Sequence, residues 1–227
     1  MTTHAGEQQV IILYFSMHGY EDPNRLKAEL SRPTILVYEH SYHGSDDDEI
    51  RDALSELAQG NLTPKDVASM FPDEGTDTEP PDLRFIHGNR LLRRVELERS
   101  PITEKENREY MRLASVNIDP TQPLEVQLQQ LQEIFTFQAD VDRRRDVELA
   151  RQLEELAHQG SEDVLTIRGA GHMFSLPKFC KARNLEFRSV HGYVEPIALD
   201  LIARMSAGHR PTQQELADAL NLRRLGY

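Results

Sequence analysis

The sequence has little of several residue types, and each shortage argues against a class of protein. It contains no tryptophan and only one cysteine, Cys180. A single cysteine cannot form a disulfide within the chain, which is typical of proteins from a reducing compartment. The first apolar run covers only residues 10–15, far short of a signal sequence or a membrane span. We therefore predict a cytoplasmic protein that does not enter a membrane.

Positive charge is also scarce. The chain carries 26 Lys and Arg against 38 Asp and Glu, a net charge of −12. A protein that binds nucleic acid needs a surplus of Lys and Arg to neutralise the phosphates, so we expect no nucleic-acid partner. Two short stretches, residues 90–99 and 143–145, are nevertheless rich in arginine. The aromatic content of 7% also offers little for base stacking. At 227 residues the chain can still bury a substantial core.

The hydrophobic pattern predicts an α/β fold. Residues 10–15 and 34–38 are continuous apolar runs of the kind found in strands buried on both faces, and Asp22-Pro23 opens a helix between them. We predict a single α/β domain over residues 10–227, with a central mixed, largely parallel sheet flanked by helices. Residues 1–9 are expected to be flexible, residues 72–82 to form an acidic surface loop, and residues 103–158 to be helical, with two successive long helices after residue 124. Residues 83–87 should form a short strand or a helix edge. Thr63-Pro64 and the capping-box pattern Thr212 to Glu215 should begin two further helices.

A third predicted strand leads into an unusual turn. Residues 164–168 alternate around apolar positions and run into Gly169, Gly171 and His172. The two glycines permit positive φ and would let the backbone approach a ligand closely. A helix should follow at about residues 177–183, with Cys180 as a small core residue.

Ligand-type side chains follow three of the predicted strands. His18 follows the first strand, Glu39, His40 and His43 follow the second, and His172 follows the glycine turn. The carboxyl ends of parallel strands meet at one edge of a sheet. Two imidazoles and a carboxylate there could hold a divalent metal and leave coordination positions for water.

Each of these residues also has a structural interpretation, and both remain open. A histidine at a strand end can serve as a hydrogen-bonded structural residue, as His18 or His172 would. Glu39 can be a helix cap or a salt-bridge partner. His40 and His43 lie in a polar stretch and can be surface residues. The acidic run at residues 45–49 is better explained as a helix N-terminus than as a cation site.

The order of these motifs resembles the TraB/PrgY/TIKI family, within the wider set of erythromycin esterase-like and ChaN-like proteins. The matching text is Phe15-Ser-Met-His18, then residues 22–30, then Thr34-Ile-Leu-Val-Tyr-Glu39. Arg145-Asp146 resembles the family's Arg-Asp or Arg-Asn pair opening a helix, and Gly169-Ala-Gly-His172 matches its second Gly-x-x-His motif. The likeness runs over residues 10 to 190.

The resemblance implies an internally duplicated α/β domain that acts as a metal-dependent hydrolase on a peptide or ester bond. His18, Glu39 and His172 would be ligands of Mn, Co or Zn, with Glu39 also the general base. Arg145 would stabilise the anion formed, and Glu98 would be a further acid. The substrate would be a small molecule or a peptide.

A non-catalytic ligand-binding or regulatory protein on the same fold is the alternative. Phe15 stands where the family's first motif has glycine, which favours this alternative. In either case the helical residues between 124 and 156 could supply the face of a homodimer.

Overall fold

The structure, a computed structural model, describes residues 9–16, 21–39, 47–71, 81–193 and 199–224. The chain divides into two compact units. Residues 1–98, 152–168 and 185–193 form the first unit, and residues 99–151, 169–184 and 194–227 form the second. Residues 1–8 and 72–80, which include most of the predicted flexible N-terminus and acidic loop, lie outside the described residues.

A five-stranded parallel sheet forms the centre of the first unit, which confirms the predicted fold class. Its strands are β1 (Ile11–Ser16), β2 (Thr34–Tyr38), β3 (Leu92–Leu97), β4 (Asp163–Gly169) and β5 (Phe187–His191), and their order in the sheet is β3-β2-β4-β1-β5. All residues of β1, β2 and β4 are buried. Continuous apolar runs are therefore explained by strands that are covered on both faces.

The strand order creates a topological switch point between β2 and β4. These two strands are neighbours in the sheet. The chain leaves β2 for β3 on one side, and it leaves β4 for β5 on the opposite side. Connections that depart in opposite directions open a crevice at the carboxyl ends of adjacent parallel strands, where α/β proteins bind their ligands.

Helices α1 (Pro23–Glu29), α2 (Asp47–Gln59), α3 (Pro64–Met70) and α4 (Pro81–Ile86) belong to the first unit. Asp22 caps α1 by accepting hydrogen bonds from the backbone N–H groups of Asn24 and Arg25. The first turn of α2 contains Asp47, Asp48 and Glu49, as expected for acidic residues at the positive end of a helix dipole. The core of this unit includes Leu26, Leu54, Leu57, Phe85, Leu36 and Leu165.

The second unit is largely helical. Helices α5 (Glu104–Ala114) and α6 (Leu124–Ala157) are followed by a 3₁₀ turn (Ala170–His172), α7 (Ser175–Ala182), α8 (Leu199–Ser206) and α9 (Gln213–Arg224). The last six residues of α6 belong to the first unit. A hydrophobic cluster of the second unit is formed by Leu131, Ile134, Phe135, Leu201, Leu216 and Leu220.

Several sequence-based expectations differ from the structure. Residues 124–157 form one continuous helix rather than two, because the segment contains neither proline nor glycine to end it. Residues 83–87, interpreted as a strand or a helix edge, contribute to α4. Gly169 has φ −57°, and Gly171 is not among the described glycines with positive φ. A Cβ added at Gly171 would meet nothing within 4 Å of the protein, and the close approach of the backbone to a ligand stays a prediction.

Within the part of the chain that the structure describes, no helix is both long and apolar enough to span a bilayer.

Candidate functional site

Three charged residues lie in a row at the carboxyl ends of β3, β2 and β4. Tyr38 of β2 pairs with Leu97 of β3, so the next residues, Glu39 and Glu98, are neighbours. The β2–β4 register pairs Val37 with Thr166, and two further residues along the strands bring Glu39 level with Arg168. Strand register alone therefore aligns two acids with one arginine at the switch point.

The guanidinium of Arg168 joins the two carboxylates. Its Nη1 lies 3.1 Å from Oε2 of Glu39 and also donates to Oε2 of Glu98. The side chain of Arg168 is 0% exposed, that of Glu98 3% and that of Glu39 14%. Glu39 is thus the member of this group with the greatest access to solvent. We call Glu39, Glu98 and Arg168 the sheet-edge cluster.

The sheet-edge cluster carries a net charge of −1 when both carboxyl groups are ionised. Taking charges out of water is costly, and the attraction within a buried ion pair offsets that cost only when the groups contact each other well. Gln152, also buried, donates from Nε2 to the carbonyl oxygen of Leu97 at 2.8 Å and so holds the end of β3 beside Glu98. The cluster therefore places buried charged groups where the switch point between β2 and β4 is expected to open a crevice.

A second group of polar side chains lies within the second unit. Nδ1 of His172 is 2.8 Å from Oδ1 of Asp146. The hydroxyl of Ser175, the first residue of α7, donates to Oδ2 of the same carboxylate. All three side chains are buried. Asp146 therefore accepts a hydrogen bond on Oδ2, and its Oδ1 lies in contact with the imidazole of His172.

The position of Asp146 follows from the pattern of α6. Val141, Leu149, Ala150 and Leu153 are buried at helical spacing, and Asp146 lies on the same side of the helix. A carboxylate on the apolar face of a helix needs polar partners. Ser175 donates a hydrogen bond to Asp146, and the imidazole of His172 lies against the other carboxylate oxygen.

Cys180 is the buried core residue that was predicted. Burial raises the pKa of its thiol to about 12, and the negative charge of Asp146 adds to the increase. A thiol with this pKa is almost entirely protonated at neutral pH, so Cys180 is unsuited to act as a nucleophile.

The predicted site residues fall into three sets. Glu39 and Glu98 come together on Arg168. His172 binds Asp146, and Arg145 precedes that aspartate on α6, where it is half-buried. His18, His40 and His43 lie outside the described residues. Gly169 ends β4, and Gly171 lies in the 3₁₀ turn before His172.

The divalent metal that the resemblance implies stays a prediction, because His18, one of its three expected ligands, lies outside the described residues. Among them there is no group of three or more His, Cys, Asp or Glu side chains that could hold a metal ion. The carboxylate of Glu39 already contacts a cation, the guanidinium of Arg168, and His172 bonds to a carboxylate through Nδ1. We therefore describe the chemistry of this site without a metal.

Sequence reasoning missed the role of Arg168 and the role of Asp146. Arg168 is the one basic residue in the apolar strand β4, directly before Gly169. A charged residue in a strand that is buried on both faces indicates a buried ion-pair partner. Asp146 was noted beside Arg145, but its place on the apolar stripe of α6 is the stronger indication of a function or a buried partner.

Comparison with protein-family models, with curated proteins and with solved structures found no match. The resemblance to the TraB/PrgY/TIKI family therefore stays a prediction, and the functional argument depends on the geometry of the charged residues.

Proposed function

We propose that the protein is a hydrolase that cleaves a peptide or ester bond, with Glu39 as the group that activates water. The observation that carries this proposal is the sheet-edge cluster at the switch point of a parallel sheet. Ligands of α/β proteins bind at this place, so charged side chains there are candidates for a function.

Glu39 is the best candidate for the reacting carboxylate because it has more access to solvent than Glu98 or Arg168. In the proposed reaction Glu39 takes a proton from water as the water oxygen attacks the carbonyl carbon. The C–N or C–O bond then breaks, and Glu39 returns the proton to the leaving nitrogen or oxygen. Arg168 and Glu98 hold the carboxylate in position, which reduces the entropy lost in reaching the transition state.

The charge of the cluster also favours a type of substrate. A net charge of −1 attracts a positively charged group and repels an acidic one. A substrate with an ammonium group close to the cleaved bond, such as the amino end of a peptide, fits this charge better than an acidic small molecule.

The proposal is tested by a panel of aryl esters and amino-terminal peptide amides. General acid–base catalysis contributes about 10² to 10⁴ in rate, so Glu39→Gln should lower kcat/KM by about that factor. The matched control is Glu96→Gln on β3, where Glu96 pairs with Arg94 at 3.0 Å and lies outside the cluster. Glu96→Gln should keep full activity. A folded Glu39→Gln variant with wild-type turnover would contradict the proposal.

Dependence on metal is a separate question in the same experiment. The purified protein is analysed for bound Mn, Co and Zn, and activity is measured with and without a chelator. A stoichiometric ion that is lost in both His18→Ala and His172→Ala would support the metal-dependent form of the hydrolase. Activity that survives complete removal of metal would support the reaction by Glu39 without one.

A non-catalytic binding protein is the second candidate function. The observation that favours it is that Arg168 already forms ion pairs with both carboxylates, so the cluster can hold a bound ligand in place without any reaction. A short peptide would then bind without being cleaved. Binding measured by calorimetry that is weakened in Glu39→Gln, together with no turnover in the wild-type protein, would support this candidate and exclude the hydrolase.

A further inference from the structure

We infer that a pocket between α2 and β3 binds the phosphate group of a small molecule. The pocket is lined by Ser55, Ala58 and Gln59 of α2 and by Leu92, Arg93, Arg94 and Val95 of β3. All of these residues belong to the first unit. We call this set the arginine pocket. Its empty volume of about 240 Å³ is below the roughly 300–1,000 Å³ of pockets that enclose drug-sized ligands, so it suits a single head group.

A bulge in β3 explains why two successive arginines line one pocket. Thr34 of β2 pairs with Leu92, but Ile35 pairs with Arg94, so Arg93 is an extra residue in β3. Successive side chains of a regular strand point to opposite faces, and a bulge changes the direction of one of them. The bulge therefore brings together positive charge that a regular strand would divide between two faces.

The segment around the bulge has more positive charge than its acidic neighbour can neutralise. Arg93 is exposed and forms no hydrogen bond or ion pair with any described residue, while Arg94 pairs with Glu96 at 3.0 Å. Residues 90–96 hold three arginines and one glutamate, a local charge of +2. The exposed acids of α2 closest to the pocket in sequence, Asp52 and Glu56, do not line it.

The polar groups of the arginine pocket are suited to donate hydrogen bonds to a phosphate. A guanidinium has five N–H donors, no acceptor, and a planar shape that matches a pair of phosphate oxygens. Asn61 donates to Oε1 of Gln59 at 3.4 Å, which leaves Nε2 of Gln59 as a further donor. The hydroxyl of Ser55 already donates to the carbonyl oxygen of Arg51 at 2.7 Å. A phosphate group, with about two charges and three acceptor oxygens, fits this set better than a carboxylate does.

The charge of the whole chain restricts the ligand to a small molecule. The protein has a net charge of −12, which repels a nucleic acid or a long acidic peptide that would extend over its surface. Salt screens charges beyond about 8 Å at physiological ionic strength, so a single phosphate group is affected mainly by the arginines beside it.

The arginine pocket is separate from the sheet-edge cluster. Arg93 precedes Glu98 by five residues, and a strand rises about 3.3 Å per residue, so the two residues are about 16 Å apart. A phosphate group in the pocket therefore does not contact the carboxylates of the cluster. Its binding does not depend on the hydrolase proposed above.

Isothermal titration of the full-length protein with methyl phosphate tests this site. We expect saturable binding to the wild type. Arg93→Glu should weaken it by about 10- to 100-fold, the factor for one hydrogen bond between charged groups. The matched control is Arg25→Glu at an exposed position of α1, which changes the net charge equally and should keep wild-type affinity. Glu39→Gln should also bind as the wild type does.

A bulge and charged residues can also protect an edge strand from pairing with other chains. Arg93→Glu keeps a charged residue at that edge, so a loss of phosphate binding in this variant reports on the anion site. Equal weakening in Arg93→Glu and Arg25→Glu would show general electrostatic attraction and would overturn the inference. So would a wild-type protein without saturable binding.

Two further ligands and one spectroscopic measurement complete the experiment. Acetate that binds as tightly as methyl phosphate would overturn the choice of phosphate, and a long phosphopeptide that binds more tightly would overturn the choice of a small molecule. In the ¹⁵N-labelled wild type, methyl phosphate should shift the amide signals of residues 55–59 and 92–95. Shifts confined to other residues would overturn the location of the site without reference to any variant.

Discussion

Replacing Arg168 by methionine should destabilise the protein more than any other single substitution at the sheet edge. The change removes a guanidinium that is 0% exposed and leaves the carboxylates of Glu39 and Glu98 facing each other. Breaking a buried ion pair by removing one partner costs about 3–5 kcal/mol. For a chain of this length 1 kcal/mol corresponds to about 2–4 °C, so the Tm should fall by about 6–20 °C.

The assay is urea and thermal unfolding followed by circular dichroism, since the chain has no tryptophan for fluorescence. Adding Glu39→Gln and Glu98→Gln to Arg168→Met removes the uncompensated charges and should recover at least half of the lost stability. Residues in one charged network interact by about 0.5–3 kcal/mol, so the combined effect should be far from additive. The control is Arg93→Met at an exposed position of β3, which should stay within about 0.5 kcal/mol of wild type.

Two results would refute this reasoning. An Arg168→Met protein within about 0.5 kcal/mol of the wild type would show that water or other groups reach the cluster and compensate the carboxylates. Strictly additive effects of the three substitutions would show that the charges do not act as one network.

The remaining predictions concern local features of the second unit. Hydrogen bonds from the backbone and side chain of Thr212, from Arg204 and from His209 lower the pKa of Glu215 from 4.5 to about 2. A carboxyl group with a lowered folded pKa stabilises the fold above its unfolded pKa and loses that effect as pH falls through the folded value. The stability difference between wild type and Glu215→Gln, measured by urea unfolding, should therefore be constant above about pH 5 and should disappear between about pH 4.5 and 2; a difference that persists unchanged at pH 2 would contradict this. Cys180 should resist iodoacetamide at pH 8 in the native protein and react fully after unfolding, because burial keeps its pKa near 12; rapid native labelling would show that its helix opens easily. Arg223 donates from Nη2 to the carbonyl oxygens of Leu113, Ala114 and Val116 at 2.7–3.0 Å. Arg223→Met should therefore lower the free energy of unfolding by about 1–3 kcal/mol. It should also increase hydrogen exchange across α5, because that helix has no buried residue of its own. Unchanged hydrogen exchange of α5 in that variant would show that the hydrogen bonds of Arg223 do not hold this helix in place.

Much of the secondary structure could be predicted because its signals are local. Strand β2 has the predicted bounds, and Asp22-Pro23, Thr63-Pro64 and Thr212 with Glu215 begin helices through hydrogen bonds within three residues. Such bonds depend only on neighbouring residues, so the tertiary structure does not alter them. Helix α6 was divided in two by the prediction because its apolar stripe is interrupted by charged residues, although no residue there ends a helix.

The candidate site could be predicted only in part. Apolar runs and alternating patterns locate the ends of strands without any knowledge of the fold, so they predicted that acids and histidines follow buried strands. The sequence by itself also determined that a single cysteine would be a core residue, through the apolar pattern around Cys180.

Which charged side chains form ion pairs depends on the tertiary fold and could not be predicted from the chain. Glu39, Glu98 and Arg168 are up to 129 residues apart, and they become neighbours because three strands lie side by side in one register. Asp146 and His172 meet because a helix and a 3₁₀ turn place a buried carboxylate next to an imidazole. A buried charge must find its partner across the fold, and the spacing of residues along the chain does not specify that partner.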